Sequence, residues 1–137
     1  EGLMTALKAS AAAAKGIYRV SCRFACPKPV LIHDNPTAVH LYRIAQEAVQ
    51  NAIRHGKATR VVIALSAGKA GVRLCIRDNG RGFPEVLPES RGMGLEIMKY
   101  RARMIGGSLS HEKGTGQGSA LICVLPNPPG HPTKRAL

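Results

Sequence analysis

The sequence contains no tryptophan, and its aromatic residues make up only 4% of 137 residues. A hydrophobic core must therefore be built from Val, Ile, Leu and Ala, and a platform of aromatic rings for stacking nucleic-acid bases is not expected. No apolar run reaches the roughly 18 residues of a transmembrane helix, and no signal peptide is recognisable. The sequence also lacks the Gly-x-x-x-x-Gly-Lys-Ser/Thr run of P-loop enzymes and the His-Arg-Asp loop of Ser/Thr kinases, which excludes both classes.

Acidic residues are scarce, since 8 Asp and Glu stand against 20 Lys and Arg and give a net charge of +12. Such a balance attracts polyanions: phosphate-rich ligands, acidic membrane surfaces or nucleic acid. The basic residues are scattered and form no long block, so charge alone is weak support for nucleic-acid binding. A basic nucleic-acid-binding module therefore stays an alternative to an enzyme.

The four cysteines form no complete metal site. Cys22 and Cys26 have the spacing of a half-site, but Cys75 and Cys123 stand alone in apolar runs. Buried free thiols in a reducing compartment are the better interpretation, and a cytoplasmic location is expected. The sequence begins with Glu1 rather than Met, which indicates a fragment of a longer protein whose parent is either cytosolic or membrane-anchored.

Hydrophobic periodicity divides the chain into helices and strands. It predicts helices over 3–15, 37–55 and 95–105, and strands over 17–25, 60–66, 72–77, 108–111 and 119–125. Gly16 is expected to end the first helix, residues 67–71 to turn a hairpin, and residues 30–32 to form a short strand or a connector.

Helices mixed with antiparallel hairpins predict an α+β fold: a two-layer α/β sandwich with a mixed, mostly antiparallel sheet and helices on one face. One domain is expected over residues 1–126. The remaining residues, 127–137, are rich in proline and show no apolar pattern, so we expect a disordered tail there.

The helix predicted over 37–55 carries a polar stripe. Glu47, Asn51 and His55 follow one another at intervals of four and therefore lie along one side of the helix. A carboxylate, an amide and an imidazole in a row suit a hydrated Mg²⁺ and its phosphates, because Mg²⁺ takes oxygen ligands and keeps most of its waters. Taken alone, the stripe is better explained as a solvated helix face, because helices often carry such polar stripes.

The run Asp78-Asn79-Gly80-Arg81-Gly82-Phe83 directly follows a predicted strand. Asn-Gly is typical of a hairpin turn, but no strand pattern returns after it. An Asp at a strand end accepts a hydrogen bond from an exocyclic amine such as that of adenine, and the glycines allow the backbone to approach a flat ring. Both interpretations stay open for the run alone.

Two further glycine-rich stretches follow. Gly92-Met93-Gly94-Leu95 is predicted to open a helix, where free backbone amides bind anions; a flexible helix entry is the alternative. The second stretch runs from Gly114 to Ser119, a hairpin loop whose Ser119 is expected to support Asp78 through a hydroxyl or a water.

Taken in order, these four features resemble the histidine-kinase-type ATPase superfamily, which includes DNA gyrase, MutL-type repair proteins and heat-shock chaperone ATPases. Residues 47–55 resemble its N box, 78–83 its first glycine box, 92–95 its second, and 114–119 the region before the last strand. The resemblance covers residues 37–126. Each motif alone is weak, but four in this order and spacing are specific.

The resemblance implies a Bergerat-type fold, ATP and Mg²⁺ as cofactors, and a role for each matching residue. Asn51 would ligate Mg²⁺, Asp78 would recognise adenine, and Glu47 would orient or activate the attacking group. Residues 84–92 would form a mobile lid. The nucleotide-binding residues implied are Asn51, His55, Asp78, Gly80, Gly82, Gly92, Met93, Gly94, Leu95 and Ser119.

The segment between Phe83 and Gly92 is short, and the stretches 41–47 and 94–102 resemble sensor kinases of the nitrate-response type, whose response regulators have a helix-turn-helix output. No His of this chain matches the family's acceptor motif, so the acceptor is expected on a dimerisation domain upstream of Glu1. The expected partners are that domain and, through the parent homodimer, a response regulator, with no direct nucleic-acid binding; the isolated fragment is expected to be a monomer. A conformational-switch ATPase of the repair or topoisomerase kind is the alternative within the superfamily, although its lids are usually longer.

Overall fold

The computed structural model describes residues 2–81, 89–113 and 118–127. Its elements are α1 (Gly2–Tyr18), β1 (Ser21–Ala25), α2 (Asn35–Arg54), β2 (Arg60–Gly68), β3 (Gly71–Asp78), α3 (Glu89–Met104), β4 (Ser108–Lys113) and β5 (Ser119–Leu125). The strands form one sheet in the order β1-β2-β3-β5-β4. Only the β1–β2 pair in it is parallel, which confirms the predicted mixed, mostly antiparallel sheet.

The helices cover one face of this sheet. A single cluster of buried side chains joins Leu7 of α1, Leu41 and Ile44 of α2 and Met98 of α3 to Ile63 and other inward-facing strand residues. The opposite face carries a smaller buried group, which consists of Cys75, Ala120 and Ile122. Because residues along a strand alternate between faces, this division confirms the two-layer sandwich.

Helix α2 begins at Asn35, two residues before the start predicted at residue 37. Asp34 lies at the N-cap with an extended backbone, and its carboxylate accepts the backbone N–H of Thr37 at 3.1 Å. Such a cap contributes about 1 kcal/mol. Its buried side chains recur at helical spacing and fix the face that packs on the sheet: Leu41, Ile44, Ala45, Ala48, Val49 and Ala52. Neither α2 nor the other helices in the described ranges is long and apolar enough to cross a membrane.

The end of α1 differs from the prediction. Gly16 does not end the helix, which continues to Tyr18, and Arg19 takes the left-handed conformation with φ 57°. Tyr18 packs against the core, and this contact outweighs the cost of a glycine within a helix, about 1 kcal/mol. The strand predicted from residue 17 consequently begins at Ser21, and residues 30–32 form a connector without a strand.

Helix α3 is longer than predicted. It begins at Glu89 instead of Leu95, so the predicted start of the helix is wrong by six residues, and residues 89–92 of the expected lid are helical. Met98 and Ala102 are buried and anchor the helix, which extends through Gly92 and Gly94 because isolated glycines weaken a helix without stopping it.

The cysteines are free thiols, as predicted. Cys22, Cys75 and Cys123 are buried, and Cys26 is half-buried. Burial raises the pKa of Cys123 to about 11, so this thiol stays protonated at neutral pH and acts as a small apolar group. Within the described residues, no group of His, Cys, Asp and Glu side chains has the arrangement of a metal site.

Candidate functional site

A small, open cleft lies between the last turns of α2 and the sheet. Its walls are mostly apolar and include a few polar side chains. The lining residues are Ala48, Asn51, Ala52, His55, Gly56, Ile76, Asp78, Ser119 and Leu121. A concave, mostly apolar surface with a few converging polar groups is the usual form of a small-molecule site.

Asp78 is held at one end of this cleft by two hydrogen bonds. The backbone N–H of Gly80 donates to its Oδ1 at 2.7 Å, and the hydroxyl of Ser119 donates to its Oδ2 at 3.0 Å. Asp78 and Ser119 are register partners at the ends of β3 and β5, so the predicted contact between them is present. Each carboxylate oxygen keeps a lone pair for another donor.

The chain after Asp78 does not form a hairpin, since the next element in sequence is α3. Gly80 instead packs on the end of α2, where a Cβ would lie 2.4 Å from the carbonyl oxygen of Gly56. Arg81 donates its N–H to the same oxygen, and Gly118 donates to the carbonyl of Gly80, both at 2.7 Å. No side chain fits at position 80 without displacing the backbone, which explains the glycine there.

Asn79 has a structural role that the sequence did not reveal. Its Oδ1 accepts the backbone N–H groups of Thr59 and Arg60, both at 2.9 Å, and its Nδ2 donates to the Thr59 hydroxyl at 2.9 Å. The side chain thereby ties the loop after β3 to the start of β2. The Asn-Gly pair gives a turn signal locally, but its partners lie about twenty residues earlier, so no local pattern indicates them.

The polar stripe of α2 is divided between two clefts. Asn51 and His55 line the cleft that contains Asp78, with His55 at the C-cap of the helix. Glu47 lines a second cleft, between α2 and α3. A step of four residues turns a helix by about 40° beyond one full turn, so the stripe winds gradually around α2, and its first residue lines a different cleft from its last.

The second cleft adjoins the first where α3 crosses α2. A Cβ on Gly94 would lie 2.7 Å from Oε2 of Glu47 and 3.7 Å from Nδ2 of Asn51. Gly94 therefore brings the backbone of α3 close to both polar groups, while Leu95 packs against the core. The cleft also contains two arginines, Arg43 and Arg101, which make it suitable for an anion.

Three predicted site residues cannot be compared fully with the structure. Gly82 lies outside the described residues, as do the lid residues 84–88. Gly92 and Met93 lie within α3, with Gly92 in its first turn, and the side chain of Met93 is outside the description. The second glycine stretch thus spans the first two turns of the helix and does not precede it.

One histidine on β4, His111, has a shifted pKa. Burial lowers the pKa of His111 from its ordinary value, while the Asp78 carboxylate acts in the opposite direction and Lys113 adds to the lowering. Sequence inspection gave this residue no role.

The chain matches known proteins over most of its length. The model of the family described as histidine kinase-, DNA gyrase B- and HSP90-like ATPase covers residues 37–129. The sensor histidine kinase LiaS of Bacillus subtilis (strain 168) is 38% identical over 87 residues, which are 64% of this chain and 24% of LiaS. The nitrate/nitrite sensor protein NarX of Escherichia coli (strain K12) is 30% identical over 124 residues, 90% of this chain and 21% of NarX.

Among solved structures, the ATP-binding domain of PrrB from Mycobacterium tuberculosis is similar, with a TM-score of 0.75 and 30% sequence identity; the match covers 92% of this chain and 94% of that one. This chain thus spans a quarter or less of the two sensor proteins, but nearly all of the isolated domain. The chain belongs to the histidine kinase-, DNA gyrase B- and HSP90-like ATPase family, as an ATP-binding catalytic domain of the sensor-histidine-kinase type.

Proposed function

We propose that this domain binds Mg-ATP in the cleft beneath α2 and presents the γ-phosphate to a histidine on a separate dimerisation domain of its parent protein. The observation that carries the proposal is the fixed carboxylate of Asp78 at one end of an apolar cleft whose other lining includes Asn51. Relatives such as LiaS and NarX are sensor proteins of which this chain spans a small part, which supports a parent of the same kind.

The Asp78 end of the cleft fits an adenine base. Ala48, Ala52, Ile76 and Leu121 offer apolar surface to a flat ring. Asp78 is the acceptor for the exocyclic amine, and because two donors hold its carboxylate in place, little ordering is needed on binding. Guanine carries a carbonyl oxygen at the equivalent position, which would meet the carboxylate unfavourably, so we propose a preference for adenine.

The opposite end fits the phosphates and their metal. Asn51 offers an amide oxygen to Mg²⁺, which would neutralise the charge on the phosphate oxygens when bound. Gly94 leaves room next to Asn51 and Glu47. The first turn of α3, with Gly92, has backbone N–H groups without helical partners, and such groups favour anions. His55 lines the same cleft from the end of α2, and we propose that Gly80, Gly82, Met93 and Leu95 also shape the nucleotide site.

Glu47 is the proposed catalytic residue. It lies beside Gly94, at the boundary between the two clefts, where the γ-phosphate is expected to emerge. A ring nitrogen of the acceptor histidine attacks the γ-phosphorus, the bond from phosphorus to the bridging oxygen breaks, and ADP leaves. Glu47 accepts a hydrogen bond from the other ring nitrogen and orients the imidazole, because positioning and charge neutralisation dominate phosphoryl transfer.

The domain is proposed to act within a cytoplasmic part of a homodimeric parent that phosphorylates a response regulator with a helix-turn-helix output. A monomeric ATP-binding domain over residues 1–126, followed by a tail over 127–137, is part of the same proposal. The similarity to sensor kinases favours this function over a conformational-switch ATPase and over a nucleic-acid-binding module, for which the net charge of +12 is the main support.

A calorimetric titration tests the proposal. The domain is titrated with ATP, ADP and GTP, each with and without Mg²⁺, and in parallel with duplex DNA over a range of salt concentrations. We expect adenine nucleotides to bind more tightly than GTP, and Mg²⁺ to strengthen ATP binding. Tight DNA binding that falls steeply with salt, together with no nucleotide binding, would overturn the proposal.

A further inference from the structure

Two residues of the outer strand β4 lie on the face of the sheet that lines the nucleotide cleft. His111 is the register partner of Leu121, and Lys113 is the partner of Ser119. Directly opposed residues of an antiparallel pair project to the same side of a sheet. Because Leu121 and Ser119 line the cleft, His111 and Lys113 lie on the cleft face, one strand further out.

The position of His111 relative to Asp78 supports this placement. On its other side, Leu121 of β5 is paired with Ile76 of β3, and Ser119 is paired with Asp78. His111 is therefore level with Ile76, two strands away, and Asp78 lies two residues further along β3. The register therefore places His111 on the Asp78 side of this face, beside the residues that line the cleft. The Asp78 carboxylate acts on the pKa of the imidazole from this side.

The chemistry of the cleft leaves a role for a planar group on the sheet side. None of the lining residues in the described part of the chain is Phe or Tyr, and His55 is the planar side chain on the α2 side. His111 is exposed on β4 and is a planar side chain that the register places on the sheet side. Burial and Lys113 lower the pKa of the imidazole and Asp78 opposes this. Purine bases stack on imidazole rings as on other aromatic side chains.

We propose that His111 forms the β4 wall of the base subsite and packs against the adenine ring of the bound nucleotide. This inference rests on the proposed function and adds to it a residue that sets affinity for the base. Stacking of a base on a planar side chain contributes roughly tenfold to affinity when compared with alanine. The triphosphate, at the Asn51 and Gly94 end, does not take part in this contact.

Two variants of His111 and one control test the contact by calorimetry. His111→Ala is expected to weaken ATP binding about tenfold, whereas His111→Phe keeps a flat ring and is expected to stay within about threefold of the wild type. Ser110→Ala is the matched control, since Ser110 is exposed on the same strand and projects to the opposite face. Equal affinity of His111→Ala and Ser110→Ala would overturn the inference.

A measurement on the unmodified protein avoids any effect of substitution on folding. The ring-proton resonances of His111, assigned by their loss in His111→Phe, are followed by NMR during titration with ATP and with adenosine. We expect both ligands to shift them through the ring current of the base. Resonances that stay unchanged while ATP binds overturn this inference alone, whereas a wild-type domain that binds no ATP overturns the proposed function together with it.

Discussion

The carboxylate of Glu47 occupies the space that a side chain at position 94 would need. A Cβ on Gly94 would lie 2.7 Å from Oε2 of Glu47, well inside normal contact distance, and 3.7 Å from Nδ2 of Asn51. The backbone of α3 at Gly94 is thereby held close to two polar side chains of α2, the carboxylate of Glu47 and the amide of Asn51. This approach joins the nucleotide cleft to the cleft between α2 and α3.

Gly94→Ala tests that approach. The added methyl must displace either the Glu47 carboxylate or the backbone of α3, so we expect phosphotransfer by the parent protein to fall about tenfold or more. Gly68→Ala is the control, because a Cβ at Gly68 meets nothing within 4 Å. Initial rates of autophosphorylation are compared. Equal rates for the two variants would show that the close contact between Gly94 and Glu47 does not affect phosphotransfer.

Glu47→Gln separates binding from catalysis. The substitution keeps the size of the side chain but removes its charge, so ATP affinity should stay within about twofold while autophosphorylation of the parent slows by roughly tenfold to a hundredfold. Glu96→Gln serves as control, since Glu96 is a solvent-exposed carboxylate on α3 that pairs only loosely with Lys99 at 3.6 Å. An unchanged rate in Glu47→Gln excludes the proposed role.

Asn51→Ala tests whether Asn51 ligates Mg²⁺. If the amide oxygen of Asn51 ligates Mg²⁺, its removal should abolish the gain in ATP affinity that Mg²⁺ gives, while metal-free binding changes little. The neighbouring Gln50→Ala is the control, because Gln50 is exposed and lines other clefts than the nucleotide cleft. ATP titrations with and without Mg²⁺ measure the difference, and a persisting metal effect in Asn51→Ala would place the metal elsewhere.

Asn79→Ala should destabilise the fold. The substitution removes three hydrogen bonds to Thr59 and Arg60. The backbone N–H groups of these two residues then lose their protein acceptor, which lowers the free energy of unfolding by about 1 to 3 kcal/mol. Asn127→Ala, which removes one exposed bond to the Lys69 carbonyl, should cost much less. Urea unfolding of both variants gives their free energies of unfolding. Equal values would mean that the three Asn79 hydrogen bonds contribute no more to stability than the single exposed bond of Asn127.

The predictable parts of the structure were those set by local signals. The periodic buried face of α2 and the strand that leads to Asp78 both follow from neighbouring residues, and the resemblance of the motifs located the cleft. Other features depend on residues far apart in sequence. The packing of Gly80 on Gly56 and the Asn79 contacts to Thr59 are fixed by tertiary structure, so no pattern in either segment indicates them.

Element ends were predicted less well, for a related reason. Gly16 and the glycines near residue 92 looked like helix boundaries because propensity alone was considered. In the folded chain, Tyr18 and Met98 pack on the core, and their burial extends both helices through those glycines. His111 was missed because its place on the cleft face depends on the register of β4 with β5.

The central claim, that Asp78 determines which base binds, is tested most directly by measuring ATP and GTP affinities of the wild type and of Asp78→Asn by calorimetry. The Gly80 N–H fixes the carbonyl oxygen of the new amide at the Oδ1 position, so its NH₂ group replaces Oδ2 and faces the adenine amine as a second donor. We expect ATP binding to weaken by roughly tenfold to a hundredfold, with GTP binding less affected, so that the preference for adenine is lost. An Asp78→Asn variant that keeps wild-type affinity for ATP and still rejects GTP would contradict the claim.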